Sequence, residues 1–382
     1  MVRAAKGQPT GEEAGRVSYR YQEIYTTGAS AVGDAFHNQV LYCEANGAPV
    51  TARVVAGIAA VLASGQGGPF LDRIRGWQGP PLADALPLRG AGGLHALHLA
   101  GGEPALDAIY RGEPAEEAAV IGEVVARREA DLLPWLDGPP QTNEAGRSAN
   151  FIVALLWLAG RGLPPRFECL ELGSSAGINL MIDRYHYGLG GVEVGPKDAA
   201  MRFKPEWRGP PPADRAIEII STKGCDVAPV DLTDPAQALR LKAYVWPEHT
   251  ERFARIEIAI AEARKRAPAM VAKNAADFIE AELAKPQAPF TTRVVMHSIM
   301  WQYVPHDQQA RASVAIEAAG ARATPDTPLA WVSLEANRTV HMHELTVRYW
   351  PGGGSRVKLG TAHAHGAWLA ALETPEPSSW PD

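Results

Sequence analysis

From about Pro165 onward the sequence predicts an α/β domain on a seven-stranded, mainly parallel sheet that ends in an antiparallel hairpin, preceded by an α-helical N-terminal domain. Three observations carry this expectation. Before Pro164 apolar residues recur at three and four spacing, whereas after Pro165 short apolar runs alternate with helical stretches, the pattern of a parallel sheet with crossovers. Two late apolar runs flank Pro351-Gly352-Gly353-Gly354, a turn suited to a hairpin. At 382 residues the chain also exceeds the usual single domain.

Residues 1–18 are small and polar and are expected to be flexible, and residues 19–160 form the helical domain. Its helices are predicted at Ala52 to Ala63 and Pro114 to Leu136, between Gly/Pro-rich joints at Gly65 to Pro69 and Gly79 to Pro81. A further helix is expected over Asn143 to Gly160, with Thr142 as its N-cap after Pro139-Pro140. The α/β domain spans 161–373. Its strands are predicted at Arg166 to Leu172, Ala216 to Ser221, Ala269 to Ala272, Thr292 to His297, Leu329 to Glu335, Glu344 to Trp350 and Arg356 to Ala362. Insertions occupy 187–214 and 234–268, where they would build a substrate pocket, and 374–382 is expected to be a flexible tail.

Composition narrows the function classes. With 46% hydrophobic and 21% charged residues the chain is that of an ordinary globular protein rather than a disordered one. A net charge of −6, a pI near 6.0 and the lack of a sustained basic run argue against nucleic acid. Arg252, Arg255, Arg264, Lys265 and Arg266 cluster on one expected helix, where a solvated face is the simplest reading. Cys43, Cys169 and Cys225 are scattered and odd in number, which fits a reducing cytoplasm. The apolar run Phe151 to Ala159 is too short to span a bilayer, so no membrane is expected.

The sharpest local signal is Phe167-Glu168-Cys169-Leu170-Glu171-Leu172-Gly173-Ser174-Ser175-Ala176-Gly177-Ile178-Asn179-Leu180, read as strand, tight turn and helix. It resembles the first motif of S-adenosylmethionine-dependent methyltransferases, whose fold is Rossmann-like and whose sheet also ends in a hairpin. That resemblance implies S-adenosylmethionine as cofactor and a small-molecule methyl acceptor. Gly173 and Gly177 would let backbone approach the ligand closely, with Ser174, Ser175 and Asn179 beside them and Glu171 accepting from the cofactor's amino-acid portion. Asp226, in Gly224-Cys225-Asp226, is favoured over Glu218 as the ribose acid. Asp277 is placed either at the adenine or as the N-cap of the helix Phe278 to Leu283.

The fourth strand runs into His297-Ser298-Ile299-Met300-Trp301-Gln302-Tyr303, where the resemblance places the catalytic loop. His297 would take a proton from the acceptor, and Trp301 and Tyr303 would wall the sulfonium by cation–π attraction. Upstream, Thr142, Asn143, Glu144 and Arg147 would overhang the site, and Trp246 in Tyr244-Val245-Trp246-Pro247 is a further substrate-side candidate. His341, His343, His363 and His365 form two HxH pairs beside the hairpin, but no carboxylate or Cys pattern accompanies them, so no metal is expected. From Pro139 onward the phrases Thr142-Asn143-Glu144, Leu170 to Asn179, Gly224-Cys225-Asp226, Tyr244 to Pro247 and His297 to Tyr303 also resemble an uncharacterised bacterial family of unknown function. Two other readings stand beside methyl transfer: a non-catalytic binding or interaction module, and a nicotinamide-dependent oxidoreductase. The hairpin and the long gap before a second strand disfavour the latter.

Overall fold

A computed structural model describes residues 32–378. The expected flexible start, residues 19–31 of the expected helical domain, and 379–382 lie outside the described residues. Contacts divide the chain into two units, one of residues up to Thr142 with Pro235–Phe253, the other of Asn143–Asp234 with Ala254–Asp382. The divisions fall ahead of the helix Ser148–Gly160, rather than behind it at 160, and within the expected insertion at 234–268. Among the described residues no helix is long and apolar enough to cross a membrane.

The helical unit contains helices Val32–Ala45, Pro49–Ala63, Pro69–Arg75, Leu86–Leu99 and Glu117–Leu132, joined by Pro235–Ala243 from later in the chain. Proline at the first turn of the second, third and fourth of these starts each where its missing N–H costs nothing. Phe36, Val55, Ile58, Phe70, Leu94, Ile121 and Val124 meet in its core. Gly92 lets Tyr244 approach so closely that a Cβ there would lie 2.7 Å from the ring. Trp246 sits half-buried in this unit, edge-on to Tyr42 with centroids 6.1 Å apart and stacked on His249 at 5.3 Å.

The strands are β1 (Arg166–Leu172), β2 (His186–Leu189), β3 (Val192–Val194), β4 (Arg202–Phe203), β5 (Glu206–Arg208), β6 (Glu218–Asp226), β7 (Met270–Ala272), β8 (Thr292–Ser298), β9 (Leu329–Asn337), β10 (Met342–Trp350), β11 (Val357–Ala362) and β12 (Trp368–Pro377). Nine form one sheet in the order β5-β12-β11-β10-β9-β8-β1-β6-β7, and β3-β2-β4 form a second. From β7 to β9 every pairing is parallel, and from β9 to β12 the sheet continues as an antiparallel meander.

All seven predicted strands are present, but the sheet has nine rather than seven. β12 starts at Trp368 inside the expected domain and runs past 373 to Pro377, into the expected flexible tail, and β5 adds a parallel edge to it. Glu373, Pro375, Glu376 and Pro377 hid β12, because charge and proline keep the part of β12 that runs beyond its β5 partners from further pairing. The α-helix expected after β1 is instead the 3₁₀ segment Asn179–Arg184, which hands directly to the small sheet. There Tyr185, Tyr187 and Phe203 pack at 5.6 Å from Phe203 to each tyrosine. Burying three rings outweighs the weak preference of six residues for a helix.

Register fixes the faces of the large sheet. Leu170 pairs with Val295 and Val295 with Trp331, so these share one face, which packs on Phe278, Ile279, Ala312 and Ile316 of helices Ala275–Leu283 and His306–Gly320. Glu171 pairs with Met296 on the other face. Glu144, not Thr142, caps the turn before Ser148–Gly160, its side chain accepting from the Gly146 N–H at 3.1 Å.

Candidate functional site

At the end of β1 the chain reverses through Gly173 to Gly177, with φ of 66° at Gly173, 52° at Ser175 and 68° at Gly177. A side chain in that region costs roughly 1–2 kcal/mol, which Ser175 bears. The loop is tied to β6: the Ser174 N–H donates to the Cys225 carbonyl at 2.8 Å, and the Ser175 N–H donates to Asp226 Oδ2 at 2.9 Å. Asp226 Oδ1 also accepts from the Ala228 N–H at 3.0 Å. Asp226 therefore serves as a clasp of the turn, and Ser174 packs against Gly224.

Glu171 is buried, and its Oε1 accepts from Asn179 Nδ2 at 3.1 Å. Its Oε2, Asn179 Oδ1 and Ser175 Oγ are buried with no hydrogen-bond partner. Burial pushes the Glu171 carboxyl up to about 8, against the pull of Asn179, Ser174 and Arg147, with Asp226 adding to the rise. The two glycines are approached by the chain itself: a Cβ at Gly173 would lie 2.8 Å from Met300 Cε, and one at Gly177 2.7 Å from Pro268 Cβ.

At the end of β8, His297 is fully buried, with Nδ1 2.7 Å from Glu335 Oε1. That oxygen also accepts from the N–H groups of Met300 at 3.1 Å and Trp301 at 3.2 Å. The His297 ring stacks on Trp301 with centroids 4.9 Å apart, and its Nε2 is buried without a partner. Ile299 follows at φ 51°, an outlier for a β-branched residue. Such strain gathers at functional sites, and here Ser175 and Ile299 follow the adjacent strands β1 and β8. Because His297 pairs with Ser333 and Glu171 with Met296, the two side chains occupy opposite faces of one sheet edge.

Tyr303 is 77% exposed and turns away from His297, since residues of a 3₁₀ turn two apart diverge while Trp301 faces inward. Glu335 was missed by sequence reasoning. Its signal was a carboxylate near the end of a mainly apolar strand, β9, beside the one carrying His297.

Asn143 Oδ1 accepts from the Ile178 N–H at 2.9 Å, which joins the upstream segment to the β1 turn. Arg147 Nε donates to the Ala364 carbonyl at 2.9 Å, and a guanidinium N–H reaches the Ser298 carbonyl at 3.5 Å. Glu144 lies 3.6 Å from Arg255. Thr142 is exposed and, like Trp246, belongs to the helical unit. Asp277 lies on the surface at 2.8 Å from Arg311, whose guanidinium holds its carboxyl low, with Asn274 adding to the effect. The N-cap is Asn274, which accepts from the Asp277 N–H at 2.8 Å, so Asp277 is the third residue of that helix rather than its cap.

His343 faces Ala362 across β10 and β11, and the His365 N–H donates to His363 Nδ1 at 3.2 Å. His341 is exposed at the β9–β10 turn. Among the described residues no group of three or more His, Cys, Asp or Glu is arranged to hold a metal ion.

The family model DUF2332, described as an uncharacterized protein conserved in bacteria, matches residues 33–370. The chain belongs to the DUF2332 family. No curated protein and no solved structure matches it. In this DUF2332 protein the match begins in the helical unit and extends into β12, well beyond the phrases from Pro139 onward that carried the resemblance. A cavity of about 420 Å³ lined by Gly160, Arg161, Leu163, Pro325, Pro328 and Tyr349 opens at the opposite, amino-terminal ends of β1 and β9, away from the groups described above.

Proposed function

We propose that this DUF2332 protein binds S-adenosylmethionine at the carboxyl ends of β1, β6 and β8 and transfers its methyl group to a small-molecule acceptor. The observation that carries the reading is the set of unpartnered acceptors on one turn: Glu171 Oε2, Asn179 Oδ1 and Ser175 Oγ. Buried polar atoms are nearly always paired, and an ammonium group would supply the N–H donors they lack, with Glu171 losing its proton as the cation binds. Ligands of open α/β sheets bind beyond the carboxyl ends of the strands. The cradle at Gly173 is filled by the Met300 side chain along its length, with Cε, Cγ and Cβ at 2.8, 2.9 and 3.0 Å from where a Cβ would stand, and a ligand would displace it. Gly177 is closed by a proline ring and is kept for packing.

When bound, the cofactor supplies a methyl group on a positive sulfur. Glu171 and Asn179 would hold its amino-acid portion, while Asp226 keeps the turn in shape. Trp301 excludes water from His297. The bound cofactor would offer its methyl carbon to in-line displacement by the acceptor's lone pair, with the electron pair of the broken carbon–sulfur bond left on sulfur. A proton lost from the acceptor passes to His297 Nε2, within reach once Met300 and Trp301 move aside. The covering of Gly173 by Met300 and of His297 by Trp301 favours, as a second reading, a binding module without turnover.

The deciding experiment is calorimetric titration with S-adenosylmethionine and S-adenosylhomocysteine, with NAD and NADP as controls. Saturable binding of the first pair alone is the expected result. Binding of neither removes methyl transfer, and binding without turnover over an acceptor screen selects the second reading.

A further inference from the structure

Glu335 makes more of one oxygen than any other carboxylate at this sheet edge, its Oε1 facing His297 Nδ1 and the N–H groups of Met300 and Trp301. An oxygen that already accepts from two backbone N–H groups faces the ring as an acceptor, so the imidazole nitrogen opposite it carries the hydrogen. In a neutral ring the other nitrogen, Nε2, is then a lone pair. Nε2 is buried beside Trp301 and Trp331 with nothing to accept from. A histidine kept only for packing would be served as well by an apolar ring.

The neighbouring strand adds a second carboxylate. Glu344 stands directly opposite Glu335 across β9 and β10, and both are buried. Like charges in that position repel. Glu344 lies 3.3 Å from Lys358 Nζ, which lies in turn 3.4 Å from the exposed Glu376. The row leaves Glu335 to His297 and gives Glu344 its own cation.

We propose that Glu335 is a positioning residue of the site: it holds His297 as the Nδ1–H tautomer and so presents Nε2 as the atom that receives the acceptor's proton. This rests on the methyl-transfer reading, but its test needs no cofactor. The probe is the uniformly ¹⁵N-labelled full chain, observed through the long-range ¹H–¹⁵N correlations of the His297 ring. The wild-type ring is expected to show a protonated Nδ1 and an unprotonated Nε2. In Glu335→Gln the amide still accepts from the Met300 and Trp301 N–H groups or donates to Nδ1, and the protonated signature at Nδ1 is expected to be lost or mixed. Glu335→Asp, which restores an acceptor-only partner, is expected to return it.

A wild-type ring protonated at Nε2 and not at Nδ1 would overturn the proposal, as would a Gln variant with the wild-type signature. If the Gln variant does not fold, the wild-type tautomer and the Asp variant decide alone. Failure of S-adenosylhomocysteine to bind would remove the methyl-transfer reading and leave the tautomer result standing. The two failures are therefore distinguishable.

Discussion

Glu171 is a carboxyl group whose folded environment favours the proton. Its ordinary value of 4.5 rises to about 8, with burial the main cause. Between those values the folded state binds the proton and the unfolded state does not, so stability is lost as pH rises from 4.5 towards 8. At about 1.4 kcal/mol for each pH unit the whole window would amount to several kcal/mol as an upper bound. Urea midpoints measured at pH 5, 6, 7 and 8 are expected to fall with pH in the wild type and to fall less in Glu171→Gln. Parallel curves would show that Glu171 ionises normally. Ser175 makes the companion case. Ser175→Gly relieves the φ of 52° and is expected to raise stability by about 0.5–1 kcal/mol while weakening S-adenosylhomocysteine binding, through loss of Oγ. A variant that is stabilised with unchanged affinity would take Ser175 out of the site.

At the scale of elements, the segment Ile299 to Val304 covers two things at once, with Met300 against Gly173 and Trp301 on His297. Trimming the first should open the cradle. Met300→Ala is expected to tighten S-adenosylhomocysteine binding by about three- to tenfold, roughly 1 kcal/mol, because the ligand no longer displaces a packed side chain. Weaker binding in calorimetry would mean that Met300 contacts the ligand instead.

The same segment shows where the sequence ran out. β1 and the hairpin of β10 and β11 were legible because strand periodicity and a Pro-Gly turn are local signals. The concentration of His297 and Trp301 was legible as composition. That Trp301 would turn inward and Tyr303 outward depends on a three-residue 3₁₀ turn, which leaves no periodic trace. Glu335 lies 38 positions from His297, and only the pairing of β8 with β9 brings them together. The small sheet of β2 to β4 was hidden for a related reason: each of its strands is four residues or fewer and is held by ring packing rather than by length.

For the whole molecule, the chain enters each unit more than once, and contacts far apart in sequence hold the helical one together. Gly92 and Tyr244 meet within it although 152 positions separate them. Gly92→Val should drive a branched side chain into the Tyr244 ring and destabilise the protein by about 1–3 kcal/mol, read from thermal or urea unfolding. An unchanged midpoint would show that the ring shifts freely.

The three buried cysteines are distributed across these units, with Cys43 in the helical unit and Cys169 and Cys225 on β1 and β6. Burial pushes their thiols up to about 11, 12 and 12, so the reactive thiolate is scarce and enclosed while the fold is intact. They make a built-in clock. An alkylating reagent in excess can label each thiol only when the surroundings of that thiol open, and mass spectrometry times the three events separately. Cys169 and Cys225, on hydrogen-bonded neighbouring strands, are expected to tick together, and Cys43 then reports on the other unit from the same tube.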